Sequence, residues 1–315
     1  EMVKTTSVLH GAYIWTFDEP LNAIPDLKIA LELGQIESFS PLVERQQYTR
    51  DNPNDPEFGA QWHLDNYGQT NGLSGEDINA TEIWDDYRGE GVIISIVDDG
   101  LDHEHPDIED NYEPTYSYDW CNDDSDPAPN DWDGHGTAAA GVAAATGNNS
   151  LYVSGAAWEA TLAGSTLIAC WAGDNTEADA LSFENDNIDI YSNSWGPSDD
   201  GTRLEGPGPL TLAAFEEDAY WGRSGLGNSI TWAAGNGLGS DDNANKDGYA
   251  NSRFTIAVTA ITHEGDQSYY AEPGANILVA AHSNGDGEGI TTTDITGSGG
   301  YNGSGNVTHT FGGTS

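Results

Sequence analysis

Positive charge is what this chain has least of: 9 Lys plus Arg stand against 53 Asp plus Glu in 315 residues, a formal net charge of −44. A surface of that sign repels phosphate backbones and argues against nucleic acid as a partner. Long apolar runs are missing too. No stretch approaches the roughly 20 apolar residues that cross a bilayer, and no basic-then-apolar leader opens the chain, which begins at Glu1 and reads as trimmed there. Cysteine is confined to Cys121 and Cys170. Two do not make a disulfide framework, neither lies in a Cys-x-x-Cys metal pair, and pairing and two free thiols both stay open.

What is there suffices for a folded enzyme-sized body. A hydrophobic fraction of 37% with ten tryptophans can build a core. The acid excess has two readings, a solvated surface suited to salty surroundings, or specific carboxylates for cations and basic ligands. A few ion sites use only a handful of carboxylates, so most are surface, and only those in motif positions carry functional meaning.

The chain divides near residue 50. Before it, His10 to Phe17 reads as a strand, Ile24 to Leu33 as a helix and Ile36 to Val43 as a strand, a small α/β unit over residues 1–50. The polar, Pro-bearing stretch Asp51 to Pro56 reads as an exposed linker. In residues 51–315, apolar β-rich runs at Gly91–Val97, Ala160–Cys170, Ile188–Ser192, Ser229–Ala234 and Phe254–Ala260 alternate with predicted helices at Asn79–Arg88, Gly136–Thr146, Glu177–Asn185 and Pro209–Arg223. Such alternation predicts an α/β fold with a parallel sheet covered by helices on both faces. Function in these folds gathers at the carboxyl ends of strands, where Asp98 and Asn236 fall.

Three glycine-flanked motifs carry chemistry: Asp98 in Val97-Asp98-Asp99-Gly100, His135 in Gly134-His135-Gly136-Thr137, and Ser315 at the end of Phe311-Gly312-Gly313-Thr314-Ser315. A serine hydroxyl attacks a carbonyl only if a base takes its proton as the bond forms. An imidazole can be that base, provided a carboxylate fixes its tautomer and stabilises the imidazolium. Asn236, in Trp232-Ala233-Ala234-Gly235-Asn236-Gly237, offers an amide donor for the oxyanion. Singly these are chance-level patterns; in one order and in consistent contexts they are not.

With these motifs the chain resembles the subtilisin-like serine proteases, and more narrowly their kexin and furin branch. The narrower likeness rests on Asp55-Pro56-Glu57-Phe58, Gln61-Trp62-His63-Leu64, the doubled acid Asp98-Asp99, Ser194-Trp195-Gly196-Pro197-Ser198-Asp199-Asp200-Gly201 and Asp247-Gly248-Tyr249-Ala250-Asn251-Ser252. It runs from about Pro53 to Ser315.

The resemblance implies an endopeptidase with Ser315 as nucleophile, His135 as base, Asp98 as its orienting acid and Asn236 as oxyanion donor. It implies substrate contacts along Ser194, Trp195 and Gly196. Asp199 and Asp247 would line a pocket for an arginine or lysine before the scissile bond, Asp99 would face the next side chain, and Glu205 with Tyr249 one farther along. Ser198 replaces an acid common in furin, and the acid of the Glu177–Asp179 segment has no assigned place.

Calcium is the implied cofactor, at three groups: Asp55, Asp107 and Asn149; Asp199, Asp242 and Glu272; and Asp119, Asp124 and Asp126. Residues 1–50 would be the C-terminal part of a pro-segment, cut after Arg50. A further β-rich P domain and a secreted, cell-surface or periplasmic location are also implied. A chain ending at Ser315 itself would place a carboxylate beside the nucleophile, and such a piece is expected to be inactive, a calcium- or pro-segment-binding module at most.

Overall fold

In this computed structural model, residues 2–5, 13–16, 20–39 and 52–315 are described. The chain forms two compact units, Glu1–Thr49 and Arg50–Ser315. In the first, strands β1 (Met2–Thr5) and β2 (Tyr13–Thr16) pair antiparallel, Met2 opposite Thr16, and helix α1 (Pro20–Glu32) follows. The strand predicted over Ile36–Val43 is irregular up to Phe39, and the rest of it lies outside the described residues, as does Arg50.

The second unit is built on a seven-stranded sheet. Its strands are β3 (Ile93–Asp98), β4 (Tyr118–Asp119), β5 (Thr161–Thr166), β6 (Ile190–Asn193), β7 (Ser229–Ala233), β8 (Ile256–Ile261) and β9 (Ile277–His282), in the order β4-β5-β3-β6-β7-β8-β9. Every neighbouring pair is parallel. β3 shows why helices must cover both faces. Its residues are apolar on both sides of the pleat: Ile94 and Ile96 pack with Ala140 and Ala144 of α3 (His135–Ala144), while Val97 packs on the opposite side with Leu181, Phe215 and Trp232. Leu181 ends α4 (Asp174–Leu181) and Phe215 belongs to α5 (Pro209–Gly225). Burying both faces of such a strand removes its whole apolar surface from water, at about 25 cal/mol per Å².

Boundaries differ from the sequence reading where tertiary contacts intervene. The helix predicted over Asn79–Arg88 is the single turn α2 (Ala80–Ile83), after which Trp84 buries its ring on Trp158 at 4.4 Å and the chain turns. β5 stops at Thr166 because residues beyond it leave the sheet to form a cleft rim tied by a disulfide, Cys121–Cys170, with Cα atoms 5.7 Å apart.

A separate antiparallel hairpin, β10 (Ile290–Thr293) and β11 (Val307–Phe311), leads into Ser315. Thr292 and Thr293 donate their hydroxyls to the carbonyls of Ala138 and Thr137 at 2.8 and 2.7 Å. The segment ending in Ser315 is thereby bolted to the helix that begins with His135. Among the described residues no helix is long and apolar enough to cross a membrane.

Candidate active site

Asp98 is the last residue of β3 and is 1% exposed; His135 is the first of α3. His135 Nδ1 lies 2.9 and 3.0 Å from the two oxygens of Asp98. With Nδ1–H committed to the carboxylate, the proton-accepting nitrogen of the neutral ring is Nε2. Gly136 permits this approach: a Cβ there would collide with the Gly100 carbonyl and come within 2.8 Å of Asp98 Cβ. Burial pulls the His135 pKa down, but the Asp98 hydrogen bond and the charges of Asp98 and Asp99 outweigh it and hold the imidazole above its ordinary value of 6.5. The ring of Phe311 packs on the imidazole at 5.3 Å, so the strand preceding Ser315 touches the base directly.

Asn236 sits just past the carboxyl end of β7. Its Oδ1 accepts from the Thr314 N–H at 2.8 Å and the Thr314 hydroxyl at 3.2 Å. That settles which end of the amide accepts, and Nδ2 is left as donor. Ser315 Oγ and Asn236 Nδ2 lie 3.6 and 3.7 Å from the point where a Cβ on Gly313 would stand, so hydroxyl and amide border the same small space. Two pairs thus stand at the ends of β3 and β7, the start of α3 and the exit of β11, Asp98 with His135 and Ser315 with Asn236, and the Phe311–His135 ring contact links them.

Beneath Asn236, ligand oxygens of Asp199, Asp242 and Glu272 lie within 4.8 Å of one another, the one such three-residue group among the described residues. Gly235 and Gly237 make room for it: a Cβ on either would strike the Glu272 carboxylate. The Asn236 and Gly237 N–H groups donate to Asp199 and Glu272 at 2.8 and 3.0 Å. Burial, reinforced by the neighbouring acids, raises Asp199 and pushes Glu272 up to about 7. Hard oxygen donors so placed, forming no ion pair with a side chain among the described residues, fit a divalent ion such as Ca2+.

Asp55 and Asp107 form a second convergence. Asp55 accepts from the N–H groups of Asn148, Asn149 and Ser150 at 2.7, 3.0 and 3.2 Å. Asp107 accepts from Asn149 Nδ2 at 3.0 Å and from the Val153 N–H at 2.7 Å. Burial raises both carboxylates, and each lies within the other's field. The third predicted group does not converge. Asp119 is turned onto the N–H groups of Cys121 and Asn122, Asp124 onto that of Asp126, and Asp126 onto His103 and the Ala128 N–H. Asx-type turns claim these carboxylates one by one.

The remaining predicted residues line two adjoining clefts. One, of about 210 Å³, has walls from Trp171, Trp195 and Tyr249 and acids Glu177 and Glu205. Trp195 stacks edge-on against Trp232 and Tyr249 at 4.7 and 5.3 Å. Glu177, unplaced by sequence, accepts from the Tyr249 hydroxyl at 2.7 Å; the first turn of α4 delivers it there. Glu205 is exposed and sits 3.6 Å from Arg203.

The other cleft is bordered by Ser198, Asp199, Asp242, Asp247 and Glu272, and also by Arg203 and Lys246. Asp247 is pushed up to about 6 by burial, with Asp199 and Asp242 adding to it, and its Oδ2 comes within 3.0 Å of a Cβ built on Gly196. Ser194 lies one residue past β6, at the same carboxyl edge of the sheet. The Asp99 carboxylate accepts from the His135 and Gly136 N–H groups at 3.1 and 2.8 Å. Trp171, fully exposed beside Cys170, and Phe311 had no signal in the sequence.

The fold and the site together define a subtilase: residues 89–315 match the model of the Subtilase family, peptidase S8, and the chain belongs to that family. Its likeness narrows to the processing branch. It is 42% identical over 252 residues to PC3-like endoprotease variant B of Hydra vulgaris, covering 77% of this chain and 36% of that protein. It is 41% identical over 256 residues to neuroendocrine convertase 2 of Homo sapiens, covering 78% of this chain and 40% of that protein. The chain therefore spans well under half the length of these relatives. Among solved structures, the serine protease of Aeromonas sobria superposes with a TM-score of 0.73 at 25% identity, over 87% of this chain and 56% of that one.

Proposed function

We propose that the protein is a serine endopeptidase that cleaves after basic residues, with Ser315 as nucleophile, His135 as general base and acid, Asp98 as its orienting carboxylate and Asn236 as oxyanion donor. The observation that carries this reading is the buried Asp98 carboxylate bonded to His135 Nδ1. In the acylation step, Nε2 takes the Ser315 hydroxyl proton while Oγ attacks the carbonyl carbon. Asn236 Nδ2 donates to the oxygen as it gains charge. The tetrahedral species collapses as His135 returns the proton to the leaving amine, and water then repeats the sequence on the acyl-enzyme.

The acidic clefts support a basic side chain before the scissile bond. A guanidinium meeting Asp247 and Asp199 relieves carboxylates that burial and mutual repulsion hold high, whereas an apolar side chain leaves them unpaired. Glu177, Glu205 and Tyr249 would take a second basic residue farther along. Calcium would be held by Asp199, Asp242 and Glu272 and by Asp55, Asp107 and Asn149, where it supplies fixed positive charge and ties loops together. Residues 1–50 would act as a pro-segment released after Arg50, and action in a secretory or extracellular setting accords with the Cys121–Cys170 disulfide.

The test is hydrolysis by the whole protein of matched peptides carrying Arg, Lys or Leu before the bond. Arg and Lys should exceed Leu by at least tenfold, and a phosphonylating reagent should label Ser315. Equal rates for the three would sink the basic preference; turnover without labelling would sink the nucleophile.

A further inference from the structure

Asp98 and Asp99 are consecutive, yet the structure gives them the same object. Asp98 holds the His135 ring, and the Asp99 carboxylate accepts from the His135 N–H through Oδ2 at 3.1 Å and from the Gly136 N–H through Oδ1 at 2.8 Å. The Asp99 N–H in turn donates to Asp98 Oδ1 at 2.8 Å. Two backbone hydrogen bonds to Asp99, beside the Asp98 contact with the His135 ring, thus tie the end of β3 to the first turn of α3. Each oxygen of Asp99 accepts one backbone N–H of α3, which anchors the carboxylate to the start of that helix whatever else its remaining lone pairs meet.

Resting on the reading of His135 as the base, we propose that Asp99 is a positioning residue: it caps the helix that begins with His135 and keeps a negative charge behind the imidazole, fixing the ring's place and its basicity. Two free N–H groups at a helix start favour an anion there, and a charge so close favours the imidazolium that forms during turnover. The other groups that bear on this pair are Asp98 on β3 and, on the loop after β10, Tyr301, whose hydroxyl is pushed up to about 12 by burial with Asp99, Asp98 and Asp294 adding to it. No lysine or arginine figures among the groups acting on His135, Asp99 or Tyr301. Burial and the Asp98 charge raise Asp99 itself to about 6.

The experiment compares the whole protein with its Asp99→Asn and Asp99→Ser variants; serine keeps a capping acceptor without the charge. Two readouts are taken. The imidazole of His135 is titrated by NMR, and kcat and KM are measured on two peptides that differ only in having Lys or Ala just before the basic residue at the bond.

The expected result is a His135 pKa lowered by at least about half a pH unit in both variants, and kcat lowered about ten- to a hundredfold on both peptides alike. An unmoved His135 pKa, with kcat intact and only the KM for the Lys peptide raised, would overturn the proposal and return Asp99 to substrate recognition. If the unsubstituted protein cleaves neither peptide, the protease reading fails, and the His135 titration still decides whether Asp99 governs the ring.

Discussion

Two groups of carboxylates stand at the carboxyl edge of the same sheet and are put to opposite uses. At the end of β3, Asp98 and Asp99 are fully engaged by one imidazole and by two N–H groups of α3. Past the end of β7, Asp199, Asp242 and Glu272 crowd beneath Asn236 with backbone donors; Arg203 and Lys246 line the same cleft, but among the described residues neither forms an ion pair with the three. The first group finds its partners within the chain and, on the proposed function, would set the geometry of a proton transfer. The second is a crowd of acids in which burial, reinforced by mutual repulsion, raises Asp199 and Glu272, and on the proposed reading an external cation would relieve that repulsion. Residue type does not separate them; the supply of donors does.

The widest separation between the two groups should appear on the side of the completed one. Ser315→Ala and His135→Ala should each lower kcat by about four orders of magnitude or more in the whole protein while leaving its circular dichroism and melting temperature near the unsubstituted values. Retained turnover in either variant would mean that the Asp98–His135 pair does other work. Asn236→Ala comes next, since Asn236 holds Thr314 with its side chain and donates its N–H to Asp199 of the second group. Loss of its donor should cost about a hundred- to a thousandfold in kcat with KM little changed, and a loss confined to KM would relocate Asn236 to substrate binding.

Calcium removal acts on the second group and on the Asp55–Asp107 site together, and a variant at Asp242 separates the two. A carboxylate raised in the folded state gives its full stability below its unfolded pKa, near 4.5 for Glu272, and loses it as pH rises through the folded value of about 7. Above that the crowded charges work against folding unless a cation relieves them. Chelation should therefore lower the melting temperature much more at pH 8 than at pH 5, and Asp242→Asn should shrink that difference; an equal fall at both pH values would remove the cation from this site. The smallest effect concerns the completed group: because Asp98 and Asp99 hold His135 above its ordinary value, the acid limb of kcat/KM should have its midpoint above pH 6.5. A midpoint below 6.5 would show that burial outweighs the two acids.

The residues that were legible in the sequence are those whose position follows from strand ends. Asp98 and Asn236 each close an apolar β-rich run, and His135 opens a run of small residues, so topology alone carries them to one edge. Glu177 was not legible, because a helical phase within α4 decides which of Glu177 and Asp179 meets Tyr249. In the third acidic run, proximity in sequence favours Asx turns, and these hold Asp119, Asp124 and Asp126 on nearby N–H groups in this structure. The pairing of Cys121 with Cys170 depends on where the β5 exit passes the Asp119 loop, and nothing in the intervening residues encodes that. β10 and β11 carry mixed polar and apolar residues whose threonines serve α3 rather than a sheet face, which hid them from periodicity.

Gly136 sets the tolerance of the whole arrangement. The spacing between Asp98 and His135 is metered by an atom that is not there, because a single methyl group at position 136 would wedge β3 away from α3. Such a wedge would act on both acids at once, parting Asp98 from the ring and Asp99 from the helix in one motion. The site is therefore gauged less by its reactive groups than by the width of one hydrogen, and a one-carbon change outside the reacting atoms could silence it while every reactive side chain stays in place.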